Sequence, residues 1–354
     1  MLKPLIGKLV EGDHLTESEM MGAMETIMEG TANHAQVGAF LTAFRLKGET
    51  VDEIVGAARV IREHAEPFGA RSVSLVDTCG TGGDSAHTFN ISTAAAFVLA
   101  GAGMRVAKHG NGAVSSRCGS ADVLRALGVD IDVPTETVRE CVDDIGIGFL
   151  FAPKMHSAMR HVAQVRRDLG IRTVFNLLGP LTNPAGVDCQ VVGVPRKELL
   201  GLLASAFARL GTRRALVVHG SDGLDEITIT GPTHVAEVRD GAVREYDIRP
   251  EDGGLRAAPA HTLEGGDAQT NAEMIRRILQ GETGPRRDVV LLNAGAALAV
   301  AGEAADLRDG VSQAARSIDS GQARAKLRAL VELTTSAGDG AMRPCYMPRM
   351  SGCA

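Results

Sequence analysis

Ser72-Val-Ser-Leu-Val-Asp-Thr-Cys-Gly-Thr-Gly-Gly-Asp-Ser-Ala-His-Thr-Phe-Asn-Ile-Ser-Thr93 reads as a strand, a glycine turn and the start of a helix. Val73, Leu75 and Val76 supply a short apolar strand, Gly80, Gly82 and Gly83 make the turn, and Ala94-Ala-Ala-Phe-Val-Leu99 begins the helix. Glycines let backbone N–H groups approach a ligand, and Asn90, Ser92 and Thr93 add polar groups at a helix start, which favours anions. The stretch is neither common nucleotide fingerprint: it has no Gly-x-Gly-x-x-Gly, and no Lys-Ser/Thr closes the loop. A glycine turn by itself equally serves to reverse the chain.

A second loop of the same kind follows. Met104-Arg-Val-Ala107 is the next strand, Lys108-His-Gly-Asn-Gly-Ala-Val-Ser-Ser-Arg117 the loop, and Asp122 to Leu127 a helix stopped by Gly128. Two consecutive parallel strands ending in polar glycine-bearing loops put both loops on one sheet edge, where open α/β sheets bind ligands. The two loops are expected to face one cavity and grip a phosphorylated ligand between them.

Outward from this core, residues 1 to about 66 read as all-helical. Thr16 with Glu19 and Thr50 with Glu53 have capping-box spacing, and Asn33 suits the cap of His34 to Leu46. Within that run Val37, Phe40, Leu41 and Phe44 make one apolar stripe, covered either by the main domain or by a second copy. Glu66-Pro-Phe-Gly69 is the linker. Beyond the two loops, helix and strand keep alternating. A helix opens at Pro134-Thr135, a strand spans Gly148 to Phe151, and Pro153 breaks before Lys154 to His161. Strands at Gln190–Val194 and Ala215–His219 enclose a helix from Lys197 to Leu210. This predicts a mostly parallel sheet. Asp240-Gly241 between Val235–Val238 and Ala242–Tyr246 signals an antiparallel hairpin. From Asn271 onward the pattern is helical, and Val289 to Val300 is apolar almost all round, hence buried.

The chain has 354 residues, 44% hydrophobic and only 3% aromatic with no Trp, so its cores are aliphatic and alanine-rich. A net charge of −6 argues against a nucleic-acid partner, and a polyanionic substrate has to be met by a few local cations or by metal. No apolar run reaches the ~20 residues of a membrane span, and no signal peptide is read. The six cysteines (79, 118, 141, 189, 345 and 353) form no Cys-x-x-Cys pair, which suits reduced thiols in the cytoplasm. Cys79 lies in the key loop, but no His and acid partner is evident for it, and space-filling is the reading. Asp222, Asp225 and Glu226 follow the strand ending at His219; neighbouring carboxylates repel unless a cation sits between them, although a solvated acidic turn has the same sequence.

Several motifs in order are specific. Asp77 to Asp84, Thr88 to Thr93, Lys108-His-Gly-Asn111 with Ser115-Ser116, Val165-Arg166, Arg172 to Pro184 and His219 to Glu226 closely resemble the anthranilate phosphoribosyltransferases of tryptophan biosynthesis. The resemblance extends over most of the chain. It implies an α/β fold of the nucleoside phosphorylase/phosphoribosyltransferase type, with a mostly parallel central sheet flanked by helices and a smaller N-terminal all-helical domain. The helical domain is expected at 1–66, carrying a homodimer contact and hinging over the site, with residues 163–184 returning to it; 67–354 is the α/β domain.

The same resemblance implies the site. Gly80, Gly83, Asp84, Thr88, Asn90, Ile91, Ser92, Thr93, Lys108, His109, Gly110, Asn111, Ser115, Ser116 and Ser120 are expected to bind phosphoribosyl pyrophosphate. Gly80, Asn111 and Arg166 are expected to bind anthranilate, Arg166 through its carboxylate, which a guanidinium fork suits better than a lysine. Ser92, Asp225 and Glu226 are expected to hold Mg²⁺, and Lys108 and Asn111 to assist the transfer. Arg167 and Asp168 read as a solvated charge run, and Pro180 as a stiff apolar wall or a plain turn. His109 is read either as the acceptor of the released proton or as structural. Gly112-Ala113 stands where the family often has Arg-Ser, Gln164 where it has Pro, and Met155 where it has an aromatic residue or His; the last two are expected to border the acceptor pocket. Rival readings are a pyrimidine nucleoside phosphorylase and a non-catalytic phosphosugar sensor, which the Asp225-Glu226 pair disfavours. The tail 341–354 reads as irregular.

Overall fold

The structure, a computed structural model, describes residues 2–69, 74–113 and 117–336. Val73, Ser115, Ser116 and the tail 341–354 lie outside the described residues. The chain opens with four helices, α1 (Leu2–Val10), α2 (Glu17–Met28), α3 (His34–Lys47) and α4 (Val51–Glu63). Their starts follow local chemistry. The Thr16 hydroxyl accepts from Glu19 N–H at 3.2 Å while the Glu19 carboxylate accepts from Thr16 N–H at 2.8 Å. Thr50 and Glu53 repeat the box, and Asn33 Oδ1 accepts from Gln36 N–H at 2.9 Å. The stripe Val37, Phe40, Leu41 and Phe44 is buried in a core with Val162 and Val165, with Val174 to Leu181, and with Val192. The same chain therefore covers this stripe, and it is not the face that a second copy would meet.

The rest alternates. β1 (Val76–Gly80), α5 (Ile91–Gly101), β2 (Val106–Gly110), α6 (Ser120–Leu127), α7 (Thr135–Glu140) and β3 (Ile147–Phe151) come first. Next are α8 (Ala152–Met155), α9 (Arg160–Leu169), α10 (Phe175–Leu178), β4 (Cys189–Gly193), α11 (Leu199–Arg209) and β5 (Arg214–Gly220). A hairpin of β6 (Thr233–Arg239) and β7 (Ala242–Ile248) leads into α12 (Ala268–Leu279), α13 (Pro285–Ala301), α14 (Leu307–Asp319) and α15 (Gln322–Ser336). Among the described residues the strands form one sheet in the order β3-β2-β1-β4-β5-β6-β7. β1 to β5 are parallel; the hairpin is antiparallel, its turn made by Asp240 and Gly241 at φ of 49° and 84°. α13 is buried along nearly its whole length, in an aliphatic core with α5.

Two boundaries differ from the sequence reading, and both matter to the site. β2 does not end at Ala107; it runs through Lys108, His109 and Gly110, which pair with Phe149, Leu150 and Phe151 of β3. Ladder partners on a neighbouring strand extend a segment whose own residues look like a loop. Strand alternation then sends Lys108 and His109 to opposite faces of the sheet. α5 begins at Ile91 rather than Ala94, so Ile91 and Thr93 turn into the core with 1% exposure each, and Ser92 is left partly exposed between them.

Candidate active site

β1 is flanked by β2 on one side and β4 on the other, so the chain winds in opposite directions from it, and a crevice opens at the strands' C-terminal ends. Gly80 and Gly193 are paired across β1 and β4 at that point. Both lie against the loop that follows β5. A methyl on Gly80 would stand 2.9 Å from Asp225 Cγ, and one on Gly193 would stand 3.0 Å from Asp225 Cα and overlap its carbonyl. Two glycines in register are thus what allows Asp225 to lie over the sheet edge. The Gly82 N–H donates to Asp225 Oδ2 at 2.8 Å, tying the glycine turn to this loop. Within the turn Gly82 and Gly83 have φ of 68° and 85°, and the non-glycines Ser85 and His87 have 56° and 53°. Left-handed backbone at non-glycine residues costs about 1–3 kcal/mol each and clusters at binding sites.

The electrostatics are those of crowded carboxylates. Glu226 Oε1 accepts from Ser92 N–H at 3.1 Å, and Asp84 Oδ2 accepts weakly from Asp225 N–H at 3.5 Å. Burial, then the charges of Asp84 and Glu226, holds the Asp225 carboxyl well above the usual carboxylate range. Burial also pushes Glu226 up to about 7, with Lys108 opposing. These groups resist ionising unless a cation joins them. Among the described residues no group of three or more His, Cys, Asp or Glu closes a cage around an ion. Mg²⁺ usually takes one or two carboxylates and completes its shell with substrate oxygens and water. Lys108 is 3% exposed; its ammonium donates to the Thr78 carbonyl and lies 3.4 Å from Ser92 Oγ, on the carboxylate side of β2.

The second loop is built by its own bonds. Asp122 Oδ2 accepts from Ala113 N–H and Gly119 N–H, both at 2.8 Å, and Ser120 Oγ donates to the Asn111 carbonyl at 3.2 Å. Ser120 Oγ occupies the space of a side chain at Gly110. Asn111 is exposed, and among the described residues its side chain bonds only the neighbouring Gly112 N–H, at 2.8 Å. Asn90 precedes α5 without capping it; its amide donates to the Cys118 carbonyl at 3.1 Å and accepts from Asn271 Nδ2 at 3.0 Å, joining both loops to α12. Thr88 forms a bridge with Glu264.

His109 lies on the opposite face. Its Nδ1 bonds the Gly179 carbonyl at 3.2 Å, and its ring meets that of His156 edge-on at 5.1 Å. Burial and the neighbouring His156 push His109 down to about 3, and burial pushes His156 down to about 4. A carbonyl only accepts, so Nδ1 of neutral His109 carries the proton. The ring thus packs against the turn after α10, on the face of the sheet away from Asp225 and Glu226. Pro180 is buried in the turn after α10, within the packing. Arg166, on α9, stacks its guanidinium 5.4 Å from the Phe175 ring centroid and is partly buried. Arg167 and Asp168 are exposed, each bonded to Gln164 at 2.6 Å. Gln164 is thus engaged along the helix surface, and Met155 is packed in a cluster with Phe68, Leu75 and Leu150. Burial and the nearby Asp77 push the Cys79 thiol far up, which disfavours the thiolate form.

Three positioning residues went unassigned in the sequence reading. Besides Gly193, Asn183 Nδ2 donates to buried Asp77 Oδ2 at 2.9 Å and to the Ala107 carbonyl at 2.8 Å, clamping β1 to β2. Arg172 Nη2 donates to the Thr81 carbonyl at 3.2 Å, and its guanidinium fills the space beside Gly83. Arg172 and Asn183 stand in a stretch already singled out, but nothing local in it reveals these partners.

Known proteins share this fold. Residues 3–65 match the profile of the glycosyl transferase family helical bundle domain, and 72–324 that of the family's a/b domain. An anthranilate phosphoribosyltransferase of Anaeromyxobacter sp. (strain K) is 58% identical over 335 residues, covering 95% of this chain and 99% of that one. The solved anthranilate phosphoribosyltransferase of Thermus thermophilus superposes with a TM-score of 0.88 at 46% identity, covering 93% of this chain and 99% of its own. That of Saccharomyces cerevisiae, in complex with PRPP and Mg, gives 0.88 at 30% identity, with 95% and 98% covered.

Proposed function

The chain belongs to the anthranilate phosphoribosyltransferase family, and from that premise we infer which of its residues do the work. The protein transfers the 5-phosphoribosyl group of phosphoribosyl pyrophosphate to the amino group of anthranilate, releasing pyrophosphate, in tryptophan biosynthesis. Its metal is Mg²⁺. An arylamine is neutral at pH 7 and its lone pair is available, so no strong base is needed. The barrier lies in departure of pyrophosphate, as positive charge grows on the sugar and negative charge on the leaving group.

We assign the leaving group to the crevice over Gly80 and Gly193. There the glycine turn (Gly80, Gly83, Asp84), Thr88 and the α5 start (Asn90 to Thr93) present backbone N–H and hydroxyl groups, with Lys108 adding charge from below. Asp225, Glu226 and Ser92 would hold the metal, which when bound neutralises the departing diphosphate. The loop Gly110, Asn111, Ser115, Ser116 and Ser120 holds the phosphoribosyl end, and exposed Asn111 orients the acceptor. Arg166 takes the anthranilate carboxylate; its stacking on Phe175 fixes the plane of the fork. Attack gives a protonated arylamine, which is acidic enough to release its proton to water.

The observation that carries this assignment is the seating of half-buried, mutually repelling Asp225 and Glu226 against the glycine turn. Protein mixed with phosphoribosyl pyrophosphate, Mg²⁺ and anthranilate should quench anthranilate fluorescence, with loss of the signal's decay on omitting Mg²⁺; a decay indifferent to Mg²⁺ overturns the metal assignment.

Residues 1–66 are proposed as the hinging unit, with 163–184 returning to it and 67–354 as the α/β unit. α9 packing on α2 and α3 supports this. We also propose a homodimer through the helical unit, where Val10 and Leu46 are 67% and 84% exposed. A cytoplasmic setting suits the free thiols Cys79, Cys118, Cys141 and Cys189. Among the described residues no helix is long and apolar enough to cross a membrane.

A further inference from the structure

Behind the glycine turn lies a cavity of about 140 Å³, lined by Arg45 of α3, Arg172 and Thr173 of the α9–α10 connection, Arg196 of the β4–α11 turn, Glu49 and Gly83. Three guanidiniums from three separate segments thus meet one carboxylate. Among the described residues none of the three forms an ion pair, and the only bond from Arg172 goes to the Thr81 carbonyl. Burial disfavours the charge of Arg172, Asp225 and Asp84 support it from the glycine-turn side, and Arg196 and Arg45 oppose it from the cavity side. Thr173 is 3% exposed, and among the described residues its hydroxyl has no hydrogen-bond partner, which is unfavourable for a buried polar group. Cations in excess of the cavity's one carboxylate, beside an unsatisfied buried hydroxyl, call for an anion with several acceptor oxygens.

We propose that this cavity is a second anion site, which takes a small oxyanion of the phosphate class between Arg45, Arg172 and Arg196. One water needs about 10–15 Å³ by the same measure, so a tetrahedral oxyanion and several waters fit. Planar guanidinium forks match its oxygens. Its occupant joins α3 of the helical unit to the β4–α11 turn of the sheet unit and, through Arg172, reaches the back of Gly83. The site stands on its own residues and does not depend on the reaction assigned above.

The test titrates inorganic phosphate, and in a second arm inorganic pyrophosphate, into the full chain by calorimetry, with phosphoribosyl pyrophosphate and Mg²⁺ saturating and anthranilate absent. Saturable binding in either arm is expected, and the tighter arm identifies the occupant. The Arg45→Ala/Arg196→Ala variant should bind about tenfold more weakly or worse, while its KM for phosphoribosyl pyrophosphate stays within about threefold of the parent. Single Arg45→Gln and Arg196→Gln variants give the same reading if the double variant melts early. No binding in either arm, or equal binding by parent and variants, overturns the site. Absence of phosphoribosyl transfer would instead count against the catalytic assignment, and is read in a separate assay.

Discussion

Replacing Gly193 by Ala isolates the contact on which the carboxylate loop rests. Gly193 is not among the residues with positive φ, so alanine meets no backbone penalty there, and the whole effect is steric. The new methyl would overlap the carbonyl of Asp225 and stand 3.0 Å from its Cα, where ordinary contact begins near 3.4 Å. Its neighbour is backbone, held by the Gly82 N–H bond at 2.8 Å, so the loop has to retreat by about 2 Å. Overpacking of this kind costs about 1–3 kcal/mol of stability. Displacing Asp225 and Glu226 by more than 1 Å should lower kcat by about 10²-fold or more. Urea unfolding measures the first quantity, and the anthranilate fluorescence assay across a Mg²⁺ series the second. Gly201→Ala is the control: that helical glycine has only Glu245 Oε1 nearby, at 3.4 Å, and the change should be neutral or stabilise by up to about 1 kcal/mol. A folded Gly193→Ala protein with parental kcat and parental Mg²⁺ dependence would refute the seating of Asp225 as the basis of activity.

Other outcomes follow from the same geometry. Arg166→Ala should weaken anthranilate binding by about 1.5–3 kcal/mol, raising its KM, and an unchanged KM would remove Arg166 from the site. Asp225→Asn with Glu226→Gln should lower kcat by about 10²-fold and, because both carboxyls sit above their usual range, raise the melting temperature of the metal-free protein; a lower melting temperature, or one still raised by Mg²⁺, contradicts this. His109 and His156 are depressed to about 3 and about 4, so protonation favours the unfolded chain. Their contribution is complete above pH 6.5 and lost as pH falls below it, by up to about 1.4 kcal/mol per pH unit for each ring. Urea unfolding from pH 7.5 to 5 should show a shallower acid loss in His156→Gln than in the parent, and superimposable slopes would dismiss the pair as buried neutral histidines.

The features legible in the sequence were those set by near neighbours. Capping boxes at Thr16 and Thr50, the Asp240-Gly241 hairpin, the alternation of strand and helix and the glycine turn all rest on residues a few positions apart, where backbone sterics and short hydrogen bonds decide the conformation. Tertiary structure alone decided what each motif faces. Lys108 and His109 read as one basic loop until the β3 ladder made them strand, and strand alternation then sent one beneath the carboxylates and the other against Gly179. Asp225 meets Gly82 across 143 positions of chain, and it reaches there because register pairs Gly80 with Gly193. Register, burial and the facing of side chains are properties of the packed sheet, so residues such as Gly193, Asn183 and Arg172 carry no local mark of the contacts that give them their roles.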